Sequence, residues 1–133
     1  MELRRYRAED LPILAHLFGE TVRRVNSRDY APPQVQAWAA GEADLLTRDS
    51  WFQRLYTLVA EADGRIVGYG NVDDTGYLDH LFVRWDCQGQ GIATALCDAL
   101  EAHCRELGVD AVTVHASKTA LPFFLHRGYR VER

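Results

Sequence analysis

The chain has 133 residues, 47% hydrophobic and 26% charged, with 15 basic and 19 acidic side chains and a formal net charge of −4. That length fits one domain, 1–133, and the balance excludes a disordered, collagen-like or disulfide-scaffold chain. The negative charge argues against broad nucleic-acid binding, which needs a basic surface, and only one of the basic residues, Lys118, is a lysine. No apolar run reaches the about 18 residues of a membrane helix, and the start, Met1 to Arg7, lacks the apolar core of a signal peptide. A cytoplasmic chain with no membrane partner is therefore expected. Cys87, Cys97 and Cys104 are odd in number and form no CxxC pair, so they read as reduced thiols packed as small hydrophobes, with no metal site.

In chain order, Leu3–Arg7 alternates apolar and polar residues and predicts a short edge strand. Asp10 is a candidate N-cap, with Pro12 in the first turn that follows. Ile13, Leu14, Leu17, Phe18, Thr21, Val22 and Val25 then recur at helical spacing. A second short helix is predicted around Pro33, Val35, Trp38 and Ala39, stopped by Gly41, and Trp51–Leu55 is a possible helical turn. Tyr56–Ala62 and Arg65–Val72 are strands joined by Asp63-Gly64, a strong hairpin signal. A turn at Asp73–Gly76 leads to a third strand, Tyr77–Val83.

After that strand the chain changes character. A stretch rich in Gly and Gln precedes a long amphipathic helix marked by Ile92, Leu96, Leu100 and Leu107, with Gly108 as its stop. Ala111–Val114 predicts a buried strand, which makes the step from Tyr77–Val83 a β-α-β crossover and the two strands locally parallel. Thr119–Leu125 predicts another helix, and Tyr129–Val131 the start of a last strand. The order is an α+β one, with a mixed central sheet that is antiparallel early and parallel at the crossover.

The junction between the third strand and the long helix carries the chemistry. Gly89 and Gly91 permit left-handed backbone and close approach, and the first amides of the helix point outward with the positive end of its dipole. A pyrophosphate fits such a place, and Thr94 adds a hydroxyl. The segment is neither a Walker A loop, since no GK[ST] follows, nor a dinucleotide fingerprint, since the third glycine is missing.

Gln88-x-x-Gly91-x-Ala93 resembles motif A, [QR]-x-x-G-x-[GA], of the GNAT acetyltransferases. The apolar strand Leu78–Val83 precedes it as in that family, and Ala120-x-x-Phe123-Phe124-x-x-x-Gly128-Tyr129 resembles a second family segment. The element order is also that of the GNAT fold. The segment from Tyr30 to Ala39, with Pro33, Gln34 and Trp38, is similar to the YafP-like bacterial members, as are Asp79–Val83 and His115–Ser117. The resemblance implies an N-acetyltransferase that moves an acetyl group from acetyl-CoA directly to a primary amine, of a small molecule or of a protein.

By that resemblance the pyrophosphate would sit on Gln88, Gly89, Gln90, Gly91, Ile92 and Ala93, with Thr94 assisting. The pantetheine arm would pair with the backbone of Leu81, Phe82 and Val83, near Ser117 and Phe124. Val83 is the candidate donor to the thioester oxygen. Strand alternation puts Tyr77, Asp79 and Leu81 on one face and Leu78, His80 and Phe82 on the other. Asp79 is the first candidate for base or ammonium anchor, with Tyr77, His80 and His115 as alternatives. Tyr30, Trp38 and Trp51 fall in the region that walls the acceptor site, where Glu42 and Asp44 could add charge.

Two departures stand out. Phe124 occupies the position where many members carry a proton-donating tyrosine, which leaves water or Tyr77 to serve. The C-terminal strand pair is shortened, which leaves two readings: a second copy covers the sheet edge, giving a homodimer, or the chain is truncated and of reduced stability. A non-catalytic acyl-CoA binding module on the same fold is the alternative to the enzyme.

Overall fold

The sheet grows outward from the Asp63-Gly64 turn. Both residues have positive φ, 53° and 76°, the backbone of a tight hairpin that matches the twist of its strands. It joins β2 (Tyr56–Ala62) to β3 (Arg65–Val72). The chain is described by a computed structural model over residues 1–132. β1 (Glu2–Arg5) pairs antiparallel with β2, and β4 (Tyr77–Val83) antiparallel with β3. β5 is only Thr113–Val114, parallel to the start of β4. The sheet order is β1-β2-β3-β4-β5.

Helices cover both faces. α1 (Leu11–Arg24) is followed by α2 (Pro32–Ala39), α3 (Gly41–Leu45) and α4 (Asp49–Arg54). This side buries Leu14, Phe18, Val22, Phe52 and Tyr69. α5 (Ile92–Glu106) makes the crossover and packs Leu96, Cys97, Leu100 and Cys104 on the opposite face. The three cysteines are free and buried, as expected of small apolar fillers. α6 (Leu121–His126) closes the chain.

Several expectations are corrected. The first strand ends at Arg5, although Tyr6 N–H still reaches the Thr57 carbonyl at 3.0 Å. Asp10 does not cap α1 through its side chain; its carboxylate instead accepts from Arg7 N–H and pairs with Arg4, both at 2.8 Å. Gly41 opens α3 rather than ending the helical region. Among the described residues no strand follows α6. Tyr129 is tied to helices instead, with its N–H on the Phe124 carbonyl and its hydroxyl donating to Glu101 at 2.6 Å.

Simple alternation along β4 also fails. Val72 stands opposite Leu78 and Asn71 opposite His80, so Asp79 is an extra residue in a β-bulge. The bulge turns Leu78 to the α5 face with Leu81 and Val83, while His80 and Phe82 pack toward α1. Asn71, fully buried, completes it: its side-chain oxygen accepts the His80 N–H at 3.0 Å. Asn71→Leu strands that N–H, at about 1–3 kcal/mol. We expect both the denaturation midpoint and the turnover to fall. A lowered midpoint with unchanged turnover would separate the bulge from the chemistry.

Candidate active site

A cleft of about 500 Å³ opens where β4 and β5 part. The two strands pair only at Tyr77 with Thr113 and Leu78 with Val114, and the bulge at Asp79 then bends β4 away. Arg84 N–H bonds the Val67 carbonyl at 2.8 Å. That sets the phase of the antiparallel ladder: Phe82 exchanges bonds with β3, while Leu81 and Val83 turn their N–H and C=O groups to the open side. The Val83 carbonyl is taken, accepting from Thr21 Oγ1 at 3.1 Å and Gln88 Nε2 at 2.8 Å. The Val83 N–H and both backbone groups of Leu81 therefore face the cleft. The Phe82 backbone does not, which corrects the expectation that all three residues present their backbone; Phe82 lines the cleft through its ring.

The loop after β4 brings α5 to one end of this cleft. Gly89 and Gly91 have φ of 72° and 82°, and a β-carbon at either would meet nothing within 4 Å. The conformation, not crowding, calls for glycine there. No side chain caps α5, so its first-turn amides are free to bind an anion. Gln88, Gly89, Gly91, Ile92, Ala93 and Thr94 line the cleft; the Gln90 side chain is exposed outside it. Ser117 and Phe124 line the far wall. Ser117 Oγ accepts the Ala120 N–H at 3.1 Å, so its own proton is free to donate.

At the other end stand the titratable groups. Among the described residues Asp79 is the only acidic one lining the cleft. Partial burial, and then the Asp73 carboxylate, hold its carboxyl above the ordinary value of 3.8, against the opposing pull of Arg48 and His115. Tyr77 lines the cleft beside it, its hydroxyl 3.5 Å from His115 Nδ1. Burial, with Asp79 and Asp73, raises the Tyr77 phenol and keeps it protonated.

His80 is enclosed by Phe18, Trp51 and Phe82, and its Nδ1 lies 2.9 Å from the Tyr69 hydroxyl. Burial, then Arg48, lowers it to about 4, so it is neutral at physiological pH and a poor holder of an amine's proton. The same shift affects stability. Below the ordinary 6.5 the unfolded chain takes a proton that the folded chain refuses down to about 4. Stability is lost across that window, by about 3 kcal/mol in all. His80→Asn is expected to flatten that part of the curve of urea midpoint against pH, and identical curves would refute the assignment.

Two predicted wall residues are elsewhere. Trp51 packs behind His80 and against Phe52 and does not line the cleft. Tyr30 is also outside it, bracing Trp38 at 5.5 Å while its hydroxyl accepts the Lys118 N–H at 2.7 Å. Trp38 does line the cleft. Glu42 pairs with Arg23, and Asp44 with Arg48. Phe18 and Thr21 line the site although their spacing marked them only as core. The signal for Thr21 was its polarity on an apolar face.

The acetyltransferase (GNAT) domain family matches residues 26–132. The uncharacterized N-acetyltransferase YafP of Escherichia coli (strain K12) is 31% identical over 133 residues, covering 98% of this chain and 81% of YafP. A GCN5-related N-acetyltransferase from Rhodopseudomonas palustris superposes with a TM-score of 0.95 at 32% identity, covering 99% of this chain and 82% of that one. The PaiA N-acetyltransferase from Thermoplasma acidophilum, solved in complex with coenzyme A, gives 0.83 at 19% identity, covering 98% and 90%. That last likeness is one of fold.

Proposed function

This chain belongs to the GNAT acetyltransferase family and is an N-acetyltransferase, and from that we propose that residues 1–133 form one cytoplasmic domain whose cleft transfers an acetyl group from acetyl-CoA to a primary amine. The observation that carries the residue assignment is a line of groups along one cleft. The free amides of α5 are at one end, the open backbone of Val83 and Leu81 follows, and Asp79 is at the other end.

When bound, acetyl-CoA supplies a thioester already activated for acyl transfer. The amides from Gln88 to Ala93, with Thr94, hold its pyrophosphate. Val83 N–H, two residues closer to that loop, pairs with the pantetheine arm as an added strand would. Leu81 N–H, next to the bulge, takes the oxyanion role first assigned to Val83. Asp79 anchors the incoming ammonium; one proton passes to solvent to free the amine lone pair, the amine attacks the thioester carbon, and Asp79 accepts the second proton as the C–N bond forms and the C–S bond breaks. Phe124 is buried against Phe123 and Tyr129 and has no proton to give. Tyr129 is committed to Glu101. Tyr77, which lines the cleft beside Asp79, is assigned the proton for the departing thiolate.

Thiol release from acetyl-CoA with a panel of primary amines tests this reading. Amine-dependent release supports it. Tight binding without release on any amine favours the non-catalytic acyl-CoA module, to which Phe124 lends some weight. No binding at all would remove the cofactor assignment.

A further inference from the structure

The acceptor end of the cleft has a composition that selects among amines. Among the described residues no lysine or arginine lines the cleft, Asp79 is its only carboxylate, and His115, which also lines it, faces the Tyr77 hydroxyl at 3.5 Å. Nearby cations are engaged elsewhere. Arg48 pairs with Asp44 at 2.9 Å, Arg23 pairs with Glu42 at 2.9 Å, and the Lys118 ammonium lies over the Tyr30 ring at 5.3 Å. Phe18, Trp38, Tyr77 and Phe82 supply aromatic surface on the same cleft. Two of them are held from behind. Phe18 meets Phe82 edge-on at 5.1 Å, and Trp38 is braced by Tyr30, itself tied to the Lys118 backbone.

We propose that the acceptor is an arylalkyl monoamine, a primary amine on a flat apolar body with no carboxylate and no second charge. The proposal rests on the acetyltransferase reading above and specifies its substrate class. The single carboxylate pairs with one ammonium. A carboxylate on the acceptor would lose its water with no lysine or arginine on the wall to pair with, since Arg48, which reaches Asp79 only through space, is paired with Asp44, and the second and third ammonium groups of a polyamine would find no further carboxylate on the wall. The fixed rings offer an aromatic body large contact area at little entropic cost, because they are already held in place.

The test uses matched pairs with the full chain and acetyl-CoA: phenethylamine against phenylalanine, tryptamine against tryptophan, and spermidine as the polycation. Thiol release should give a kcat/KM at least about 100-fold higher for each amine than for its amino acid, the scale on which a site rejects a group it cannot pair. Trp38→Ala should raise KM for tryptamine more than it lowers kcat. Calorimetry on the CoA-loaded protein should detect tryptamine binding and no tryptophan binding at tenfold higher concentration. Equal use of the amino acids, or a preference for spermidine, overturns the acceptor class while leaving acetyl transfer intact. If no amine releases thiol, acetyl transfer fails instead, and calorimetry still decides the class: selective tryptamine binding upholds it and equal binding overturns it.

Discussion

Asp79→Asn is expected to lower kcat by about 100-fold or more, the contribution typical of a positioned base, with the acetyl-CoA dissociation constant changed less than about twofold. The separation follows from geometry. Asp79 sits at the bulge, and the α5 amides proposed to hold the pyrophosphate lie beyond Val83 at the other end of the cleft. Its role requires the ionised form, so kcat/KM should fall as pH drops through its pKa. Burial and Asp73 hold that pKa above 3.8, so the acid limb lies higher than that of an ordinary aspartate. The variant should lose that limb. Stability should move the other way. A carboxyl whose folded pKa is raised favours the fold only when protonated, so its charge at neutral pH opposes folding. Replacing it with the neutral isostere should leave the denaturation midpoint unchanged or higher. Undiminished turnover would remove Asp79 from the mechanism.

Gly91→Asp is expected to weaken acetyl-CoA binding. Gly91 is the residue before α5, with φ at 82° and open space where a side chain would go. An aspartate there adds backbone strain of about 1–2 kcal/mol, and it puts its carboxylate on the amides that the pyrophosphate needs. Competition and charge repulsion together should weaken acetyl-CoA binding by about 100-fold or more, equivalent to about 3 kcal/mol. Gly91→Ala isolates the two effects. It carries the strain without the charge and should bind within a few-fold of the parent. Calorimetric titration with acetyl-CoA checks both, and equal loss in the two variants would assign the effect to backbone conformation rather than to the anion site.

Much of this was legible in the sequence because the signals are local. Asp63-Gly64 can form a two-residue turn whatever surrounds it, and the strands on either side follow. Gln88, Gly91 and Ala93 mark a strand-to-helix junction within six residues, and the periodicity after it fixes α5. The family, and with it the acetyl transfer chemistry, was reachable from those segments.

What the sequence could not decide depends on contacts between distant residues. Alternation along β4 placed Leu78 with His80, but the bulge at Asp79 depends on Asn71 on the neighbouring strand. Without that partner nothing in Tyr77–Val83 announces an extra residue. That Leu81 and Val83, and not Phe82, turn their backbone to the cleft has the same kind of cause: the ladder phase is set by β3. Tyr30 and Trp51 had the composition of a binding wall, yet Tyr30 is held by a backbone amide 88 residues away, and Trp51 is used as packing for His80. The sequence by itself determined the hairpin, the third strand, the glycine-led start of α5 and the reaction class, since each rests on a few adjacent residues. Only the tertiary structure decided which side chains face the acceptor, because that depends on strand register and on long-range hydrogen bonds that no single segment encodes.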